Sequence, residues 1–113
     1  METILLNHSL HRKIIRRVAL ILHENATRVK TASTVRYQQQ SDGYQVELSN
    51  CLRQAARVCE SAKDHSVAEV KRALRAMRVQ NPTDSMRDAV NGAYSILNVQ
   101  AFSEGLVDVD IRS

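Results

Sequence analysis

The sequence contains few of the residues that interrupt helices or fill large cores. Its 113 residues include one Pro and three Gly, and so few breakers argue against a turn-rich β fold. Trp is absent, and Phe and Tyr together make up only 4% of the chain. We therefore expect helices whose core is built from aliphatic and small side chains.

Cysteine is scarce, and long apolar runs are missing. Cys51 and Cys59 are separated by eight residues, which on one helix places them about 12 Å apart. That distance is too great for a disulfide, so both are expected to be buried thiols in a reducing compartment. No apolar run approaches the roughly 18 residues of a membrane span, and no leader pattern is present. These features predict a cytoplasmic protein without a membrane partner.

The charge balance is basic, and most of it comes from arginine. The chain has 16 Lys and Arg against 12 Asp and Glu, a net charge of +4, and twelve of the basic residues are Arg. Arginine binds phosphate and carboxylate groups in a bidentate way, whereas lysine acts as a point charge. The composition permits nucleic-acid binding without requiring it.

The longest pattern is an amphipathic helix from Ser9 to about Gln40. Asn7 or Ser9 is its expected N-cap, so residues 1–8 are predicted to be a lead-in arm. The turn signal Ser41-Asp42-Gly43 ends it. Its apolar residues recur at three- and four-residue steps and fill one side: Leu10, Ile14, Ile15, Val18, Ile21, Leu22, Ala26 and Val29.

Three more helices follow. A capping-box pattern at Asp42 opens the second, which is expected to run to about Asp64. Another at Ser66 opens the third, to about Val79. Pro82 is expected at the first position of the fourth.

The end of the chain departs from the helical pattern. Gly92, inside the fourth helix, predicts a close helix crossing, because a mid-helix glycine is otherwise unfavourable. In residues 105–113 the apolar Val107, Val109 and Ile111 alternate with charged residues, which predicts a short strand or an extended arm.

Together these patterns predict an all-α fold. Residues 1–113 are expected to form one domain of about four helices, arranged up-and-down, with the first the longest. The end of that helix should extend past its neighbours and expose Val29, Ala32 and Val35. Because exposed apolar residues need a cover, we expect a homodimer or a higher oligomer.

A cluster of basic residues near the start of the first helix is the strongest functional signal. The helix dipole already presents positive charge there, so the cluster predicts an anion: a phosphate, a nucleic acid or the acidic surface of a protein partner. The alternative is neutralisation within the chain by Asp108, Asp110 or Glu60. The cluster consists of Arg12, Lys13, Arg16 and Arg17.

Two further features add to this surface. Lys71, Arg75 and Arg78 line up on the third helix and would extend the basic cluster if that helix packed beside the first. Leu20 projects from the basic side of the first helix. It is either a lone exposed leucine or the apolar centre of an interface with a charged rim.

No catalytic or metal-binding motif is recognisable. His8 and His11 could share a metal on a helix, but no third ligand has a matching spacing, so we expect surface histidines, no metal and no cofactor. An enzyme would need a pocket that gathers His65, Glu69 or Tyr94. The sequence therefore favours a non-enzymatic binding or regulatory protein: an adaptor, an inhibitor or an accessory protein of a mobile element. The alternative function is binding of nucleic acid or of a nucleotide phosphate.

Overall fold

A computed structural model describes residues 2–36, 42–62 and 65–105. They form four helices: α1 (Glu2–Arg36), α2 (Asp42–Ser61), α3 (Val67–Gln80) and α4 (Asp84–Ser103). No strand occurs in these three ranges, and the predicted all-α class is confirmed. The long first helix is confirmed as well: α1 has 35 residues and is therefore about 52 Å long.

Consecutive helices run in opposite directions. Lys13 in the first half of α1 contacts Glu104, just past the end of α4, and Tyr44 near the start of α2 bonds Asp88 near the start of α4. Helix α4 therefore runs against α1 and along α2. Two contacts join α3 to α4 in reverse order along the chain: Lys71 with Tyr94, and Arg78 with Asn91. This is the up-and-down arrangement of a small helical bundle.

The core is aliphatic, as the composition predicts. The buried apolar residues in the described ranges are Ala, Val, Ile, Leu, Met and Cys, with no aromatic residue among them. Helices α2 and α4 run parallel, yet their backbones approach closely. Small side chains with no exposed surface permit this approach: Ala55, Ala56, Ala89 and Ala93.

Gly92 does not have the role predicted for it. A Cβ atom built on Gly92 would meet nothing within 4 Å. The predicted close helix crossing at this residue is therefore wrong. Alanines on the buried sides of α2 and α4 bring the helices together instead.

The caps fix two of the helix starts. Ser66 Oγ accepts a hydrogen bond from the Glu69 amide at 3.2 Å, and Glu69 Oε1 accepts one from the Ser66 amide at 3.1 Å, so the predicted capping box is confirmed. The Ser66 amide also lowers the pKa of Glu69.

The prediction for Pro82 is wrong: the N-cap of α4 is Thr83, and the helix begins at Asp84. The Thr83 hydroxyl can accept a hydrogen bond from a helix amide that has no partner within the helix. A proline side chain has no atom that could accept it.

Helix α1 begins earlier than predicted. Its first residue is Glu2, so the lead-in arm over residues 1–8 and the N-cap at Asn7 or Ser9 are wrong. The helix continues to Arg36. Asn and Ser favour helix starts but do not stop a helix, and residues 2–9 contain no Gly or Pro.

Other predictions remain open. The strand or arm over residues 105–113 lies outside the described residues, apart from Gly105. The organisation of residues 1–113 as one domain also stays a prediction. Within the described ranges, none of the helices is both long enough and apolar enough to cross a lipid bilayer.

Two buried polar side chains join helices. Ser49 Oγ in α2 donates to the Ala26 carbonyl of α1 at 2.8 Å. His11 Nδ1 in α1 accepts a hydrogen bond at 2.8 Å from the amide of Val67, the first residue of α3. The prediction that His11 is a surface histidine is wrong, because its side chain is buried.

The two cysteines are free thiols inside the core, and their predicted burial is confirmed. Removal from water raises the pKa of Cys59 to about 12. The same cause raises the pKa of Cys51, partly offset by a hydrogen bond to Ser85.

Candidate binding surface on the first helix

The basic cluster of α1 lies on the outside of the bundle. The helical repeat that buries Ile14, Ile15 and Val18 turns these side chains outward. We call them the basic surface, and each of them is exposed: Arg12, Lys13, Arg16 and Arg17.

This surface is only partly neutralised by nearby acids. Lys13 Nζ lies 3.3 Å from Glu104 Oε1, a contact between α1 and the end of α4. Glu60, one of the acids expected to neutralise the cluster, instead lies 3.4 Å from His23 Nε2. Within the described part of the chain, Arg16 and Arg17 form no ion pair.

An apolar side chain stands beside these two arginines. Leu20 is 59% exposed, and it follows Arg16 and Arg17 by one helical turn. It borders a cleft of about 470 Å³ between α1 and α2, together with Arg16, Ala19, His23 and Glu60. The site therefore has an apolar centre with cationic and acidic groups around it.

In the basic group of α3, Lys71 is not exposed as predicted. Lys71 is only 5% exposed, and its Nζ lies 5.5 Å from the centre of the Tyr94 ring. Burial, and then the charge of Arg75, lower the pKa of Lys71. Arg78 also lies over the Tyr94 ring, at 5.7 Å. Lys71 thus joins α3 to α4, and its prediction as part of an exposed anion-binding patch is wrong.

The described contacts do not bring the two basic groups into one groove. Arg16 borders the cleft between α1 and α2. Arg78 borders a separate cleft of about 270 Å³ at the turn between α3 and α4, with Thr83 and Arg87 among its other residues. Arg75 is exposed on α3.

Of the three residues predicted to be exposed at the end of α1, only Val29 has a side chain that the structure describes. Val29 is half-buried and packs against the core, so its predicted exposure is wrong, whereas its place in an oligomer interface stays a prediction. The side chains of Ala32 and Val35 lie outside the described residues. Their place in an oligomer interface stays a prediction.

The sequence reasoning missed a third cleft, between α1, α2 and α4. It has a volume of about 380 Å³, and Val29, Leu48, Leu52 and Ile96 supply its apolar wall. Gly92 also borders it. The sequence contained a signal for this cleft, namely the glycine inside the fourth helix. A glycine has no side chain, so it leaves a gap wherever no neighbouring side chain fills the space.

Two of the three residues considered for catalysis form structural hydrogen bonds. Glu69 closes the capping box of α3, and Tyr94 donates to the Lys71 carbonyl at 3.3 Å. His65 is exposed in the turn before α3. No group of three or more His, Cys, Asp or Glu side chains suited to a metal ion occurs in the ranges that the structure describes.

Comparisons with models of protein families, with curated proteins and with solved structures found no match to this chain. Function must therefore be inferred from the geometry of the surface.

Proposed function

We propose that this chain is a non-enzymatic cytoplasmic binding protein of the adaptor or inhibitor type. It docks an acidic partner protein on the basic surface of α1. One observation carries the proposal: Leu20 is exposed next to Arg16 and Arg17, which form no ion pair in the described ranges.

The chemistry of the surface favours a protein partner. Protein interfaces combine an apolar centre, which is fully desolvated on binding, with a polar rim. Leu20 and Ala19, which border the same cleft, supply the apolar part, and the arginines supply the rim. Arginine is enriched at such interfaces because its planar guanidinium binds carboxylates through two hydrogen bonds.

The position of the cluster adds to this preference. Arg12 and Arg16, and likewise Lys13 and Arg17, are four residues apart on α1, a spacing at which like charges repel. Carboxylates bound by Arg16 and Arg17 would offset this repulsion. A partner that places acidic side chains around an apolar one therefore matches the surface in both charge and polarity.

The test compares charge reversal inside and outside the surface. Arg16→Glu with Arg17→Glu changes the surface, whereas Arg57→Glu with Arg72→Glu changes two exposed arginines on α2 and α3 by the same charge. A benzophenone amino acid in place of Leu20 should cross-link to a partner in cells. We expect the control pair to keep the cross-linked product and the Arg16/Arg17 pair to lose it. Cross-linking that is the same in both pairs would refute the proposal.

Nucleic acid is the second candidate, supported by the high proportion of arginine and by the same two unpaired side chains. Neutralising about two phosphates would make binding salt-dependent, with a loss of roughly 10-fold in affinity between 50 and 200 mM salt. A gel-shift titration of the full chain with duplex and single-stranded oligonucleotides measures this. Absence of binding at low salt removes this candidate.

We also propose that the chain forms a homodimer. Exposed apolar side chains on several helices, among them Val79, Val99 and Phe102, support this proposal. Light scattering coupled to size-exclusion chromatography tests it. A molar mass of 12.7 kDa at all concentrations would contradict it.

A further inference from the structure

The end of α4 lies beside the basic surface. The ion pair between Lys13 and Glu104 holds the end of this helix beside α1. Gly105 follows with a φ of 85°, a conformation that turns the chain out of the helix. The chain therefore leaves α4 next to the basic surface.

The sequence that follows is complementary to this surface. Residues 106–113, which we call the tail, read Leu-Val-Asp-Val-Asp-Ile-Arg-Ser. Asp108 and Asp110 can supply the carboxylates that Arg16 and Arg17 lack among the described residues. The apolar members of the tail can supply the cover that the exposed Leu20 lacks.

The tail is also long enough to reach. Lys13 and Leu20 are seven residues apart on α1, which is about 10 Å along the helix. An extended chain of eight residues spans about 26 Å. Apolar tail side chains can therefore meet Leu20 and the aliphatic stems of the arginines, while the guanidinium groups extend sideways to the two aspartates.

We propose that the tail docks on the basic surface of its own chain and competes with the external partner. The competition rests on the proposed function, but the docking itself does not. The docked tail occupies the surface that the external partner would bind. It therefore lowers the affinity for that partner, which must displace the tail in order to bind.

Docking is tested on the full chain with a spin label at Ser113→Cys. Both native cysteines are buried, so the new thiol can be labelled selectively. In ¹H–¹⁵N spectra we expect the amide signals of Arg16, Arg17 and Leu20 to lose most of their intensity. High salt should restore part of it, because it screens exposed charges.

Matched variants show whether the charges are responsible. Asp108→Lys with Asp110→Lys, or Arg16→Glu with Arg17→Glu, should abolish the intensity loss, whereas the control pair Arg57→Glu with Arg72→Glu should keep it. An intensity loss confined to the end of α4 would overturn the proposal. So would an equal loss in a mixture of spin-labelled chains without isotope and isotope-enriched chains without spin label, because the tail would then bind a second copy.

Competition is a separate measurement. In the cross-linking assay through residue 20, Asp108→Lys with Asp110→Lys should raise partner capture severalfold. Capture that is unchanged while the spin label detects docking would overturn competition alone. Docking without any captured partner would instead count against the proposed function, so the two failures can be told apart.

Discussion

Replacing Gly92 with alanine should stabilise the protein. Gly92 lies well inside α4, where glycine is unfavourable because it loses more backbone freedom on folding than alanine does. The substitution therefore gains about 1 kcal/mol from helix propensity alone. No neighbour opposes it, since a Cβ at this position has no atom within 4 Å.

The cleft beside Gly92 adds a smaller gain. The new methyl group would face the side of α4 that borders Leu52 and Ile96. Partial burial of one methyl contributes up to about 0.5 kcal/mol. We therefore expect an increase of about 1 to 1.5 kcal/mol in the free energy of unfolding. An increase of 1 kcal/mol raises the melting temperature of a chain of this length by about 4 °C.

Urea denaturation followed by circular dichroism at 222 nm measures the change. The midpoint should rise while the slope stays the same, because the same surface is exposed on unfolding. Ala76→Gly, at an exposed position inside α3, is the reciprocal control and should lose about 1 kcal/mol. A Gly92→Ala protein that is less stable than the original would refute the reasoning, since it would mean that the space beside Gly92 is filled.

Three other predictions test the core and its polar contacts. His11→Leu should lower the free energy of unfolding by about 2 kcal/mol, because the first amide of α3 loses its buried acceptor. His11→Asn, whose oxygen can accept that hydrogen bond, should lose less. Equal losses for the two variants in urea denaturation would contradict this role of His11. Cys59 should react with a chromogenic disulfide reagent only after unfolding, because it is fully buried and its pKa is raised to about 12; a prompt reaction in the native state at pH 8 would be inconsistent with that burial. Tyr44 should ionise later than an ordinary tyrosine, because its hydrogen bond to Asp88 raises its pKa to about 12. Since the folded-state pKa is the higher one, this contact stabilises the fold fully below about pH 10 and is lost as the pH rises towards 12. Absorbance at 295 nm should show one late ionisation that disappears in Tyr44→Phe.

Hydrophobic periodicity predicted the helices and their buried sides well. The stripe containing Ile14, Val18 and Leu22 is buried as expected, because a helix of fixed pitch leaves few other arrangements for residues so spaced. The capping box at Ser66 was also readable, since its hydrogen bonds are local.

Assigning polar residues to the outside by type was less successful. His11 precedes Ile14 and Ile15 by three and four residues, so its position on the helix already belonged to the buried stripe. Lys71 lies one turn after the buried Val67. Each is buried because a particular partner lies opposite it in the fold, and that partner cannot be found by counting along one helix.

The candidate site was only partly predictable for a related reason. The exposure of Arg16, Arg17 and Leu20 followed from the repeat of α1. Which acids lie nearby depended on how α2 and α4 are placed, and Glu60 was found to contact His23 rather than the cluster. A single sequence carries no information about such pairings.

The hydrogen bond from Ser49 to the Ala26 carbonyl has a consequence for the uniqueness of the fold. Alanine-rich helix surfaces are smooth, so α2 could slide along α1 by one turn with little change in shape complementarity. Any such slippage would leave the serine hydroxyl in an apolar environment without an acceptor, which is costly. This one interhelical contact therefore selects a single register from several that the aliphatic side chains alone would tolerate.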